Sequence, residues 1–194
     1  MARVIAGEAG GRRLAVPAGR DTRPTSDRAR EGLFATIVSM VGPLTGARVL
    51  DLYAGSGAVG LEALSRGAEH VLLVESGTRA GRVVRENIEA IGLAGAEVVT
   101  DRVERLLARG PGGGRYDIVF ADPPYALADR EVSAMLAALH DRDWLAPGAL
   151  VIVERATRSG PVSWPAGFEP DRARRYGEAT FWYGRALYNL LAEP

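Results

Sequence analysis

The chain has 194 residues, 47% of them hydrophobic and 25% charged, with no cysteine. That length suits one domain with at most a small appendage, and the missing cysteines exclude a disulfide scaffold, a thiolate zinc site and a cysteine nucleophile. Net charge is zero but uneven, at +4 over residues 1–30, −6 over 51–154 and +2 over 155–194, so two basic ends suited to phosphate flank an acidic middle.

In chain order, ARVIA and RRLAV flank a glycine-rich turn at Gly7–Gly11 and predict a small β-hairpin. PAGRDTRPTS at 17–26 has the composition of a linker. From Asp27 to about Val41, the apolar residues Leu33, Phe34, Ile37, Val38 and Val41 recur at helical spacing. From residue 47, short apolar runs at 48–52, 70–75, 97–100, 116–121 and 149–154 alternate with helix-like stretches at 58–66, 77–92, 102–109 and 128–140. Such alternation predicts a doubly wound, mostly parallel sheet. GPGGG at 110–114 is a loop, and the tail RARRYGEATFWYG turns at Tyr176–Glu178 and predicts an antiparallel hairpin on the sheet edge. The expected architecture is α/β and Rossmann-like, with seven strands counting that hairpin. Residues 1–26 form an N-terminal β-hairpin extension with its linker, and 27–194 the main domain. No apolar run approaches the ~20 residues of a membrane span, and MARVIAGEAGG lacks the apolar core of a signal peptide. A cytoplasmic protein with no membrane partner is expected. Two histidines and no cysteine give no expected metal site.

In doubly wound sheets, ligands sit at the carboxyl ends of the strands. Asp51, Glu75, Asp101 and Asp122 each stand at or just after such an end. Any one of them could simply cap the next helix, but four on successive strands point to a site. After the first of these strands comes Tyr53-Ala54-Gly55-Ser56-Gly57-Ala58-Val59-Gly60, a G-x-G-x-x-G loop opening a helix. Glu75 follows Gly55 by 20 residues and is placed to accept hydrogen bonds from both hydroxyls of a ribose. Asp51 would repel a pyrophosphate and attract an ammonium. S-adenosylmethionine carries that ammonium and NAD does not. Asp101 is then placed to meet the adenine amino group.

The fourth strand runs into Asp122-Pro123-Pro124-Tyr125. Two prolines fix φ and remove two N–H donors. The tip is rigid and rich in acceptors: the Asp122 carboxylate and the Pro123 carbonyl can hold the two hydrogens of an exocyclic NH₂. Tyr125 can stack on the heterocycle. An amine held this way is pyramidal, with its lone pair aimed outward at an electrophilic methyl group.

DLYAGSGAVGLEAL, then VLLVE, then VFADPPY resemble the amino-methylating S-adenosylmethionine-dependent methyltransferases. With the hairpin and RPTSDRAREGLF before them and RRYGEATFWYG after, the chain resembles the RsmD-type family more closely, from about Arg3 to Tyr188. That family acts on guanine N2 of small-subunit (16S) ribosomal RNA. The resemblance implies a monomer whose partner is 16S rRNA in the small ribosomal subunit. A DNA substrate is not expected, because larger recognition domains usually accompany one and 194 residues leave no room for it. The resemblance also implies that Asp51, Gly55 and Gly57 hold the methionine end and Glu75 the ribose, with Tyr53 and Ser56 also in the cofactor site. Asp101 and the backbone of Arg102 would meet the adenine. The segment Arg23–Arg30, including Thr25 and Arg30, would close over the cofactor. Asp122, Pro123, Pro124 and Tyr125 would hold the target guanine. In the basic N-terminal stretch, Arg3, Arg12, Arg13, Arg20 and Arg23 are candidates for phosphate contacts. Tyr53 stands where the family often has Phe, and Ala35 where it often has Asn.

Other readings start from the same residues. Adenine N6, cytosine N4 and a glutamine amide also offer an NH₂ to such a tip. The complete G-x-G-x-x-G would suit an NAD-linked oxidoreductase, which leaves Asp51 and Asp122–Tyr125 without a role. A non-catalytic RNA-binding assembly factor would not need acids at every strand end. Trp144, Trp164 and Trp182 are read as packing residues, and His70 and His140 receive no function.

Overall fold

The structure is a computed structural model that describes residues 2–18 and 25–187. The chain divides into two units, Met1–Arg102 and Val103–Pro194.

In the first unit, β1 (Ala2–Arg3) and β2 (Arg13–Leu14) pair antiparallel, as the glycine-rich turn predicts. The helix α1 spans Asp27–Val41, and its amino end is capped by Ser26, whose Oγ accepts from the Ala29 N–H at 3.2 Å. Then follow β3 (Arg48–Leu52), α2 (Ala58–Ser65), β4 (His70–Val74), α3 (Thr78–Ile91) and β5 (Ala96–Val99). These three strands are parallel, in the order β5-β4-β3. β3 and β4 are buried on both faces, which is why they read as continuous apolar runs without alternation.

In the second unit, α4 (Val103–Ala108), β6 (Tyr116–Ala121), α5 (Asp129–Asp141) and β7 (Leu145–Ala156) precede a hairpin of β8 (Phe168–Tyr176) and β9 (Ala179–Ala186). The strand order here is β6-β7-β9-β8, parallel between β6 and β7 and antiparallel from there on. Among the described residues, β3 to β5 of the first unit and these four strands make seven, with β1 and β2 a separate pair, so the expected α/β class with its antiparallel C-terminal hairpin and small N-terminal hairpin is the observed one. Trp144 packs in the core, stacked on Tyr116, and donates its indole N–H to the Leu107 carbonyl at 3.0 Å. Among the described residues no helix is long and apolar enough to cross a membrane.

Two details depart from the pattern. Val38 and Val41 are 42% and 36% exposed. The inward arc of α1 is set by Ala29, Arg30, Leu33, Phe34 and Ile37, so a buried arginine occupies part of the stripe and the two valines fall at its margin and at the helix end. β7 is also longer than the run 149–154. At its start, Leu145 pairs with Tyr116 across a register shift that accommodates Pro147 and Gly148, the latter at φ +70°. At its end, Arg155 and Ala156 continue the ladder with β9.

Candidate active site

The glycine loop between β3 and α2 is shaped by positive φ at Tyr53 (+59°), Gly55 (+59°) and Gly57 (+81°). Gly57 is the residue before α2 and has no side chain to cap it. That duty falls to Asp51, whose Oδ2 accepts from the Gly60 N–H at 2.9 Å. The carboxylate thus sits at the positive end of the helix dipole and is buried. Burial pushes its pKa up to about 7, the Gly60 hydrogen bond opposes the rise, and the charge of Glu75 adds to it. Gly60 is closely surrounded by side chains. A Cβ there would lie 2.9 Å from Leu73 Cδ2 and Val71 Cγ1 and 3.1 Å from Asp51 Oδ2. Among the described residues a Cβ on Gly55 would meet nothing within 4 Å, so the backbone at this turn is open to a ligand.

Glu75 follows β4 directly. Its Oε2 accepts from the Gly55 N–H and its Oε1 from the Gly77 N–H, each at 2.9 Å. It therefore ties the glycine loop to the start of α3 while each oxygen retains a second lone pair. Asp101 lies just beyond β5 and turns its Oδ1 onto the Arg102 N–H at 2.8 Å. Ser56 is buried, and its carbonyl accepts from Asn87 Nδ2 at 2.8 Å.

In the second unit, Asp122 is half-buried immediately after β6, Pro123 is buried, and Pro124 and Tyr125 are exposed. Tyr125 stands 57% exposed, an unusual placement for a large aromatic ring. The Leu127 N–H donates to the Pro124 carbonyl at 2.9 Å and closes a turn.

The remaining expected residues are placed as follows. Thr25 is half-buried just before the α1 cap. Arg30 is fully buried. Its Nη2 donates to the Arg3 carbonyl and to Asp27 Oδ1 (3.0 Å), and its Nε stands 3.8 Å from Glu62 Oε2. Arg3 donates to Asp27 Oδ2 at 3.0 Å. Arg12 reaches the Ala90 and Ile91 carbonyls at the carboxyl end of α3, where a cation complements the dipole. Arg13 is exposed on β2. Arg20 and Arg23 lie outside the described residues.

Three polar residues that organise these stretches were not singled out in the sequence. Glu62 on α2 holds the N-terminal hairpin, accepting from the Ile5 N–H at 2.7 Å and the Ala6 N–H at 3.0 Å. Asn87 on α3 accepts from the Ala15 N–H at 2.8 Å and donates to the Ala15 carbonyl at 2.9 Å, so it joins the extension to the glycine loop through Ser56. Arg155, near the end of β7, donates to the Leu127 carbonyl at 2.8 Å, the Pro124 carbonyl at 3.5 Å and Asp129 Oδ1 at 3.2 Å. Asn87 carries a signal in hindsight, because it lies on the apolar stripe Val84–Ile91 where a polar side chain needs partners.

The family described as Conserved hypothetical protein 95 matches residues 2–185. Ribosomal RNA small subunit methyltransferase D of Escherichia coli K12 is 36% identical over 179 residues, which span 92% of this chain and 87% of that protein. The solved structure of the Escherichia coli protein yhhF superimposes with a TM-score of 0.83 at 33% identity, covering 95% of this chain and 97% of that one. SMU.776, solved with SAH, shares the fold at a TM-score of 0.61 and 18% identity, covering 74% of this chain and 46% of that one. A family match over nearly the whole length, with this level of identity, decides the relationship: the chain belongs to the RsmD-type family of S-adenosylmethionine-dependent methyltransferases.

Proposed function

We propose that the protein methylates the exocyclic N2 amine of a guanine in small-subunit ribosomal RNA, using S-adenosylmethionine. The observation that carries the acceptor assignment is the Asp122–Tyr125 tip: a half-buried carboxylate, a proline-locked backbone and a ring held out to solvent. The residues around the glycine loop fit the cofactor. The backbone at Gly55 is open to a ligand, Asp51 offers a carboxylate to the ammonium, and Glu75 offers lone pairs to the ribose diol. Asp101 and the Arg102 backbone would meet the adenine. When bound, the cofactor supplies an electrophilic methyl group.

The chain's own contribution is positioning and electrostatics. Asp122 and the Pro123 carbonyl accept the two N–H groups of the amine and turn its lone pair outward. Tyr125 stacks on the base, which has to leave its helix to reach a strand tip. As the nitrogen bonded the methyl carbon, that carbon's bond to sulfur would break with the electron pair left on sulfur, and the proton of the now acidic nitrogen would pass to Asp122 or to water. Incubation with labelled cofactor and, in parallel, bare rRNA, small subunits and DNA tests this reading. N2-methylguanosine in the digested small-subunit RNA is the expected product. Methyl-adenine or methyl-cytosine would move the acceptor, and no transfer to any RNA would overturn the reading.

The Asp51 environment predicts a pH dependence. The ammonium needs an ionised Asp51, and burial holds that group's pKa at about 7. Cofactor affinity should therefore fall about tenfold between pH 8 and pH 6. Stability of the ligand-free protein follows the opposite sign. A carboxyl whose folded pKa is raised adds stability that is full below its unfolded value and is lost as pH rises through about 7. Calorimetric titration across this range measures the first effect and thermal melting the second. A flat affinity profile would remove Asp51 from the ammonium site.

A further inference from the structure

Arg155 is an expensive residue to place where it is. It is almost wholly buried on β7, and its acidic partner among the described residues, Asp129, is well exposed. Burying a guanidinium costs free energy unless it is paired and hydrogen-bonded. Here the compensation comes from one short loop: the Leu127 carbonyl, the Pro124 carbonyl and the first residue of α5. Both carbonyls belong to the turn that follows Asp122 and Pro123.

We propose that Arg155 is the positioning residue of the target-base tip, fixing the turn 124–127 so that the Pro124 carbonyl points into the protein and the Pro123 carbonyl is the one presented to substrate. Pro124 lacks an N–H and its φ is locked, but its ψ is not. Without an anchor the turn could offer either proline carbonyl to an incoming amine. The guanidinium and the Leu127 N–H together engage the Pro124 oxygen. The rigid fork of an arginine spans two carbonyls and a carboxylate at once, which a lysine ammonium on its flexible stem does not reproduce. This inference rests on the proposed acceptor role of Asp122–Tyr125.

The test uses Arg155→Met and Arg155→Lys in the full chain, with two readouts. Hydrogen exchange of the Leu127 amide reports the turn itself, with or without activity. Steady-state transfer to small subunits reports positioning, and calorimetry reports cofactor binding. Arg155→Met should speed Leu127 exchange and lower kcat on the order of 100-fold, the scale of a misplacement near 1 Å. Its cofactor affinity should stay within twofold, and Arg155→Lys should recover part of kcat. If Arg155→Met fails to fold, Asp129→Ala carries the same expectations in weaker form. Unchanged Leu127 exchange would overturn the inference, as would an unchanged kcat or an equal loss of cofactor binding. A parent protein with no transfer to RNA would sink the acceptor reading and, with it, the link from the turn to catalysis. The exchange arm would then still decide whether Arg155 holds the turn.

Discussion

Asp122→Ala should abolish most methyl transfer, lowering kcat by on the order of 10²–10³-fold, while cofactor affinity stays within twofold. The magnitude is that of removing one preorganised electrostatic group from a reacting centre. Asp122 follows β6, whose last four residues, Ile118 to Ala121, are all buried, and it precedes buried Pro123. The backbone is thus fixed on both sides and cannot shift to replace the lost acceptor. Asp122→Asn should fall between the two, since its amide oxygen still accepts while its NH₂ opposes the substrate's own donors. Transfer of labelled methyl to small subunits, with calorimetry on the same variants, separates the steps. Turnover above a tenth of the parent in Asp122→Ala would show that the carboxylate does not hold the amine. A parallel loss of cofactor binding would reassign it to the cofactor.

Much of the fold could be read in the sequence because its signals are local. Apolar residues at helical spacing from Leu33 onward place a helix from Asp27 to about Val41, and α1 spans Asp27–Val41. Each buried strand stands out as a short apolar run, and each of Asp51, Glu75, Asp101 and Asp122 falls at a strand's carboxyl end. The polar contacts that organise those ends were not legible. Asn87 meets Ala15 across 72 residues, Glu62 meets Ile5 across 57, and Arg155 meets Leu127 across 28. Periodicity marks which face of a helix turns inward but not which backbone group waits there. Asp51 shows a further limit. From sequence, helix capping and cofactor binding are alternative explanations of an acid at a strand end. The structure realises the cap through Gly60, and a carboxylate with two oxygens has capacity for a second partner.

The second large effect is expected at Glu62, and it concerns stability. Glu62 is fully buried, and the donors around it are the Ile5 and Ala6 amides and Arg66 Nε at 2.8 Å, with Arg30 Nε at 3.8 Å. Desolvation pulls the Arg30 pKa down, and the charges of Glu62 and Asp27 act against that fall. Among the described residues the Nε and Nη1 of Arg30 meet no hydrogen-bond acceptor, and the charge of Glu62 is the largest one that opposes its desolvation. Glu62→Ala leaves two backbone N–H groups unpaired and strips that compensation from Arg30. Breaking a buried pair in this way costs about 3–5 kcal/mol, a large part of the ~5–15 kcal/mol that holds a typical domain together. For a chain of this size the melting temperature should drop by about 10 °C. Glu62→Gln should lose less, because its oxygen still accepts from one hairpin amide. Loss of the buried anion also releases Ile5 and Ala6 from α2, so their amides should exchange faster even where the protein remains folded. Urea denaturation and hydrogen exchange on the two variants test this together. A loss below about 1 kcal/mol in Glu62→Ala would mean that the hairpin is held by apolar packing alone. Val4 and Leu14, both buried, would then be the residues that dock it.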